Sequence, residues 1–216
     1  AITNNDGSGI SLTSTNDGGS DDHLTINAAL TITGGDASED ATGNVDLNAG
    51  TNLVINANIR TDAAGAITGV AVGNVQVLAT SELTTVDGNQ QLTATNGSVT
   101  LADGTSLQST TGDISISAAT DVALSALTTG VGGIRVAAAA GSITDNTVAE
   151  SANLTNTGMV TLSAATGIGA TGSADINTDI AFVQAMNSTS GDIVIHEFDE
   201  LSIAGTGVST TGGNGN

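Results

Sequence analysis

The stretch Gly112-Asp-Ile114-Ser-Ile116-Ser-Ala-Ala-Thr-Asp121-Val122-Ala-Leu124 decides how the chain is read. Ile114 and Ile116, then Val122 and Leu124, alternate with polar or small residues at a period of two, which is the signature of short strands with one buried face. The glycine in front marks a place where the chain turns sharply.

The same unit recurs outward from there. It stands at Gly43-Asn-Val45-Asp-Leu47, Gly97-Ser-Val99-Thr-Leu101, Gly133-Ile134-Arg-Val136, Gly158-Met-Val160-Thr-Leu162 and Gly191-Asp-Ile193-Val-Ile195. A second apolar position follows each triplet after about eight residues: Val45 then Leu53, Val99 then Leu107, Ile114 then Val122, Val160 then Ile168, Ile193 then Leu201. Strands this short, separated by tight polar corners, leave no room for helices, and strong helix formers are scarce. The chain is expected to be all-β.

Two architectures fit such strands, a β-sandwich and a parallel β-solenoid. A sandwich holds its sheets about 10 Å apart and fills the gap with some bulky side chains. This chain has no Trp and no Tyr, and its aromatics are Phe182 and Phe198 alone. A solenoid has a narrower interior that Val, Ile, Leu and Ala can fill layer on layer, and its corners favour Gly, Asn, Asp, Ser and Thr. The expectation is therefore a β-solenoid of about ten irregular coils over residues 1–204, followed by a Gly/Thr/Asn-rich tail or linker over 205–216; the sandwich is the alternative.

Composition removes several classes of function. Asp and Glu total 22 against two basic residues, Arg60 and Arg135, for a formal charge of −20, so nucleic acid and anionic lipid are repelled. There is no cysteine for disulfides, thiol catalysis or thiolate metal sites. No apolar run approaches the roughly 18 residues of a membrane helix, and no membrane insertion is expected. The chain begins at Ala1 without a charged-then-apolar leader, as a mature or excised piece of a longer protein would.

Chemistry-bearing residues are few. No nucleophile elbow, zinc-protease helix or phosphate loop is present. His196 precedes Glu197 in the apparent strand Ile193-Val-Ile195-His-Glu-Phe198; alternation turns Glu197 inward and leaves His196 a solvated outward residue. β-helical polysaccharide enzymes need basic residues for acidic sugars or aromatic platforms for neutral ones. This chain is nearly devoid of both, so it is expected not to be an enzyme, with a polysaccharide-active β-helix enzyme kept as an alternative.

Calcium is the one cofactor considered, since hard cations want clustered oxygen ligands. Asp17, Asp21 and Asp22 in the Asn16-Asp17-Gly-Gly-Ser20-Asp21-Asp22 loop are the leading ligands. Other acidic clusters lie at Asp36 to Asp40, at Glu197 to Glu200, and at Asp175-Ile-Asn177-Thr-Asp179, which opens like a calcium loop but has Ile180 where glycine is required. A solvated acidic surface is the plainer reading of all of them. Rows such as Leu30-Thr-Ile32-Thr33 raise a water-ordering face, against which the irregular coil spacing speaks. Asn96-Gly-Ser98, Asn153-Leu-Thr155 and Asn187-Ser-Thr189 fit the N-glycosylation acceptor.

The quoted unit, with Gly141-Ser-Ile-Thr-Asp145, Val160-Thr-Leu-Ser-Ala-Ala-Thr-Gly-Ile-Gly169 and Gly191-Asp-Ile-Val-Ile195, resembles the repeats of filamentous-haemagglutinin-like giant bacterial surface and secreted proteins. The likeness runs from about Gly97 to Ile203. It implies a right-handed parallel β-helix and an extracellular, adhesive or matrix-forming role. Neither end reads as a cap, so the functional expectation is a segment of a cell-surface fibre, adhesin or biofilm matrix filament. Such a segment would self-associate end to end by strand addition or continue into a larger chain, and surface glycans or a receptor on a host or neighbouring cell would be its external partners.

Overall fold

In the computed structural model the structure describes residues 1–5, 8–18, 22–33, 43–62, 64–212. In chain order the strands are β1 (Ile2–Asn4), β2 (Ile10–Ser14), β3 (Leu24–Ile26), β4 (Leu30–Ile32), β5 (Val45–Ala49), β6 (Leu53–Ile55), β7 (Ile59–Arg60), β8 (Ile67–Ala71), β9 (Val75–Val77), β10 (Glu82–Thr85) and β11 (Gln90–Ala94). There follow β12 (Val99–Leu101), β13 (Ser106–Ser109), β14 (Ile114–Ala118), β15 (Val122–Leu124), β16 (Ala126–Thr129), β17 (Ile134–Ala138), β18 (Ile143–Asp145), β19 (Leu154–Ala164), β20 (Ile176–Asn187), β21 (Ile195–Glu197) and β22 (Ser202–Thr210). Every third strand stacks on its predecessor, so the chain winds around three faces. The first runs β1-β4-β7-β10-β13-β16, the second β2-β5-β8-β11-β14-β17, and the third β3-β6-β9-β12-β15-β18. β19 and β20 pass through the corner between the first two faces without a break, which fuses those faces into one sheet.

Every strand pair is parallel. A sandwich built from hairpins and Greek keys is antiparallel, so the alternative is excluded. The fold is a parallel β-solenoid of about seven turns, fewer than the ten expected. The shortfall comes from the corners. Stacked partners lie 20 to 24 residues apart in the regular middle, but 28 or 29 apart on two faces near the N-terminal end and 35 apart from Ile10 to Val45.

The period-two alternation is visible as columns. On the second face Val45, Ile67, Gln90, Ile114, Ile134 and Val160 stack in register along the axis. All are buried, and apart from Gln90 they form one continuous aliphatic core with the third face's Leu53, Val75, Val99, Val122 and Ile143. Each such side chain contributes roughly 1.5–3 kcal/mol by leaving water. A column of alanines, Ala49, Ala71, Ala94, Ala118, Ala138 and Ala164, runs where the second face meets the next corner. Gln90 is the polar exception. Its amide donates across the interior to the carbonyls of Leu83 (3.1 Å) and Gln108 (2.5 Å), while its Oε1 has no partner.

The corner between the first and second faces holds two of the recurring glycines, Gly43 and Gly112, in a longer stack. Gly43, Gly65, Gly88, Gly112 and Gly132 stack there, and a Cβ on any of the last four would collide with the carbonyl oxygen of the glycine one turn below. None of these is in the left-handed region, so close backbone approach, not turn conformation, demands the glycine. Beside them runs a buried column of hydrogen-bonding side chains. Thr61 donates to the Gly65 carbonyl (2.5 Å), Thr85 to Gly88 (2.6 Å), Thr129 to Gly112 (3.0 Å) and Asn156 to Gly132 (2.5 Å). The corner thus satisfies carbonyls that would otherwise be buried unpaired.

The spacer residue after each glycine has its own role. Asn44 Oδ1 accepts the Ala66 N–H (2.9 Å), Asn89 that of Asp113 (2.9 Å), and Asp113 that of Gly133 (2.7 Å). At the next corner Asn52 takes the N–H of Asn74 (2.7 Å), Asn74 that of Ser98 (2.9 Å) and Asp121 that of Ser142 (2.8 Å). An oxygen acceptor is what the site needs. Asp113→Asn should therefore leave the thermal midpoint within a degree or two or raise it by easing charge repulsion, whereas Asp113→Ala should cost about 1–2 kcal/mol in chemical denaturation. Equal losses in both variants would show that the carboxylate charge matters and the ladder does not.

β22 stacks on β20 as far as Asn187↔Thr210, so the boundary expected at residue 205 falls inside a strand. Gly205 and Gly207 carry positive φ in an irregularity between Val183 and Ala185, which is why the stretch reads as loop.

Candidate cation-binding cluster

Three carboxylates converge near the C-terminal end of the first face. Asp179 points outward from β20, Glu197 ends β21, and Asp199 follows it; one oxygen of each lies within 4.8 Å of the others. The coil winding assembles them, because Thr178 of β20 pairs with Glu197 one turn later. Glu197 is held from several sides. Its Oε2 accepts the Thr178 hydroxyl (2.7 Å), and its Oε1 accepts the backbone N–H groups of Ile180 and Phe198 (3.2 Å each). Asp199 Oδ1 accepts the Glu200 N–H at 2.5 Å. Asp179 and Asp199 are exposed and Glu197 is half-buried.

Alternation holds at the neighbouring histidine: His196 is exposed, and its Nδ1 meets Asn177 Oδ1 at 3.1 Å. The Phe198 ring packs edge-on to it with centroids 5.3 Å apart. Along the corner beside the carboxylates runs an open groove of about 370 Å3, lined by Thr128, Thr155, Asp179, Asp199 and Glu200 among others. The donors are carboxylate and hydroxyl oxygens with no nitrogen or sulfur, a set suited to a hard divalent cation such as calcium or magnesium. Neither arginine compensates the cluster. Arg60 pairs with Asp62 at 3.3 Å, and Arg135 lies on β17 of the second face.

The sequence-predicted ligands fare differently. Asp17 is exposed and Asp22 half-buried, with the Ser14 hydroxyl donating to the Asp22 carbonyl (2.6 Å) and one Asp22 carboxylate oxygen unpaired. Asp21 lies outside the described residues, as does the cluster from Asp36 to Asp40. His23 next to that loop faces Thr51 Oγ1 at 2.7 Å. Asn177 and Asp179, which open like a calcium loop, belong to strand β20, and Asn177 is fully buried. Asp179 and the Glu197 to Glu200 run stand as separate clusters in the sequence. The signal that joins them is the coil step, legible only once strand pairing is known.

The other surface expectations resolve in the same way. Asn153 and Asn187 are buried and donate hydrogen bonds inside the fold, so of the three glycosylation triplets only Asn96 offers an exposed acceptor. The outward column of the first face reads Thr31, Arg60, Thr84, Gln108, Thr128, Thr155, Asp179, an interrupted row with no threonine lattice.

No protein family, curated protein or solved structure matches the chain, and what the structure shows is the coarser statement that it is a parallel β-solenoid repeat protein.

Proposed function

We propose that the chain is a structural segment of an extracellular fibre, adhesin or biofilm matrix filament that associates end to end by strand addition. One observation carries this reading: an aliphatic core wrapped over about seven turns by parallel ladders, with acceptor ladders at its corners, is a repeating architecture that further strands extend by the same pairing. Among the described residues the outermost strands carry exposed apolar side chains, Ile2 at 48% on the first face and Ile203 at 64% on the second. Such edges recruit further strands. The acidic, lysine-free exterior keeps the body of the rod hydrated and apart from its neighbours, and leaves surface glycans or a cell receptor as external partners.

Light scattering across a concentration series tests the association. Larger species should appear with concentration, and should appear more readily as the Debye length shrinks from about 30 Å at 0.01 M salt to about 3 Å at 1 M. A monomer at every concentration and salt level would remove the reading. Proteolysis gives an independent check. Trypsin can cut only after Arg60 and Arg135, and both lie in strands flanked on either side by paired strands. The folded chain should therefore survive trypsin until the column opens globally. Prompt cleavage at Arg60 under native conditions would count against a mechanical role.

A second reading, a calcium-binding adhesion module, is favoured by the Asp179, Glu197 and Asp199 cluster. Calcium should then raise the melting temperature more than magnesium at matched ionic strength, and Asp179→Asn should abolish the difference. Equal effects of the two ions would leave charge screening as the whole explanation. Screening against a panel of polysaccharides covers the enzyme alternative.

A further inference from the structure

The acidic exterior that holds such rods apart is interrupted in one place. The chain has two Met and two Phe in 216 residues, and none of the four belongs to the core. All are exposed, from Met159 at 37% to Phe198 at 49%, while Val, Ile and Leu fill the interior. Met159, Phe182 and Met186 project outward from the second face, and Phe182 stacks in register on Met159. Their strands β19 and β20 are paired on both sides, down to β17 and up to β22. The exposure is therefore lateral and owes nothing to where the coil begins or stops. Large apolar side chains gathered on an exterior, while smaller ones fill the core, mark a contact surface.

The charges at this patch are as unusual as its bulk. The second-face strands β8, β11, β14, β17 and β22 contain no Asp or Glu, and neither do the second-face parts of β19 and β20 from Met159 and Phe182 onward. The one charge among them is Arg135 of β17, whose neighbour in register is Thr161, two residues beyond Met159. The one ion pair among the described residues is Arg60 with Asp62, and the Arg135 guanidinium has no partner among them. Between Arg135 and Met159 lies an open hollow of about 320 Å3, lined also by Gly133, Ile134 and Thr161. One turn above Phe182, the corner leading to Ser202 carries Asp199 and Glu200, both exposed and neither paired with an arginine.

We infer that this patch is a lateral docking face for a second copy of the chain, in which the partner's Asp199 and Glu200 receive Arg135. Both halves of the contact lie on one continuous surface. Arg135 is one strand below Met159, and the corner with Asp199 and Glu200 is one strand above Phe182. At about 4.8 Å per strand the cation and the carboxylates are about 14 Å apart along the axis, with Met159 and Phe182 midway. A two-fold axis through that midpoint sets Arg135 of each copy against the carboxylates of the other and packs the Met159 and Phe182 pairs together. Such a contact is isologous and closes at two copies. Aromatic, Met and Arg side chains are also those that interface cores favour. The pairing goes beyond the end-to-end association proposed above and does not depend on it.

Sedimentation velocity on the full chain at physiological ionic strength tests the pairing, with circular dichroism to confirm the fold of each variant. The parent chain should show a monomer–dimer equilibrium, and Phe182→Ser should weaken it about tenfold or more. Arg135→Glu and Glu200→Arg should each weaken it similarly by setting like charges together. Mixed in equal amounts, those two variants should dimerise as the parent does, because every facing pair is again opposite in sign. Association that ignores all three changes, or no recovery on mixing, overturns the lateral contact and leaves end-to-end joining standing. A chain that stays monomeric at every concentration overturns both.

Discussion

Gly88→Ala should be among the most damaging single-methyl changes this chain can receive. The added Cβ would fall on the Gly65 carbonyl and come within 2.9 Å of the Ala66 nitrogen, all backbone atoms of the turn below. No rotamer can relieve a clash between main chains, and both glycines are clamped from inside by the Thr61 and Thr85 hydroxyls. The expected loss is more than about 3 kcal/mol, the range reserved for overpacking that cannot relax. Because each turn of a solenoid touches only its neighbours, the damage should be local. Native-state hydrogen exchange should show protection lost around β8 and β11 and largely retained around β17. Gly133→Ala is the control. It also stands directly before a strand, yet its nearest atoms are the Met159 carbonyl oxygen at 3.5 Å and Asp113 Oδ1 at 3.6 Å, so it should fold with nearly unchanged stability. Similar losses in the two variants would refute the glycine stack as the constraint.

A coupled pair in the core should show the next largest effect. Gly69 occupies an inward position between Leu47 and Leu92, where a side chain is expected. Its missing methyl leaves space that Leu92 and Leu53 fill; a Cβ there would meet Leu92 Cδ2 at 2.8 Å and Leu53 Cδ2 at 2.9 Å. Leu92→Ala should cost about 2–5 kcal/mol through lost burial and the cavity left behind. Gly69→Ala alone should cost about 1–3 kcal/mol by overpacking. Since the two changes move volume in opposite directions at one contact, the double variant should be less damaged than the sum by about 1 kcal/mol or more. Strict additivity in urea titrations would mean that the surroundings, and not this contact, absorb the strain.

Much of the fold was legible because its rule is local. The eight-residue step from Val45 to Leu53, Ile114 to Val122 and Val160 to Ile168 is the passage from the second face to the third. From Val99 to Leu107 it is the passage from the third to the first. The same step failed at Ile193 to Leu201, where Leu201 is exposed and belongs to no strand. Gly158 before Met159 looked like another turn, but β19 runs straight through it with only a register shift between Asn156 and Met159. Turn count was beyond reach for a related reason: insertions at corners lengthen a coil without altering any strand pattern. Gln90 was hidden as well, since its inward position shows only through register with Ile67 and Ile114. The carboxylate cluster depends on pairing between turns, which local alternation does not encode. Of the stacked glycines the repeat unit pointed only to Gly43 and Gly112; Gly65, Gly88 and Gly132, and the backbone crowding that requires them, were visible only in three dimensions.

The hydrogen bonds of all three ladders point along the axis. Tension applied between the termini therefore loads them in series, as in opening a zipper, and not side by side as in shearing a bundle. The outermost rung should peel first, and each of those that follow should let go separately. Each release would free 20 to 24 residues in the regular middle, or on the order of 80 Å of extended chain. A stretched solenoid of this kind would yield at modest force in a sawtooth of small, repeated extensions, absorbing work over a long distance without parting at once.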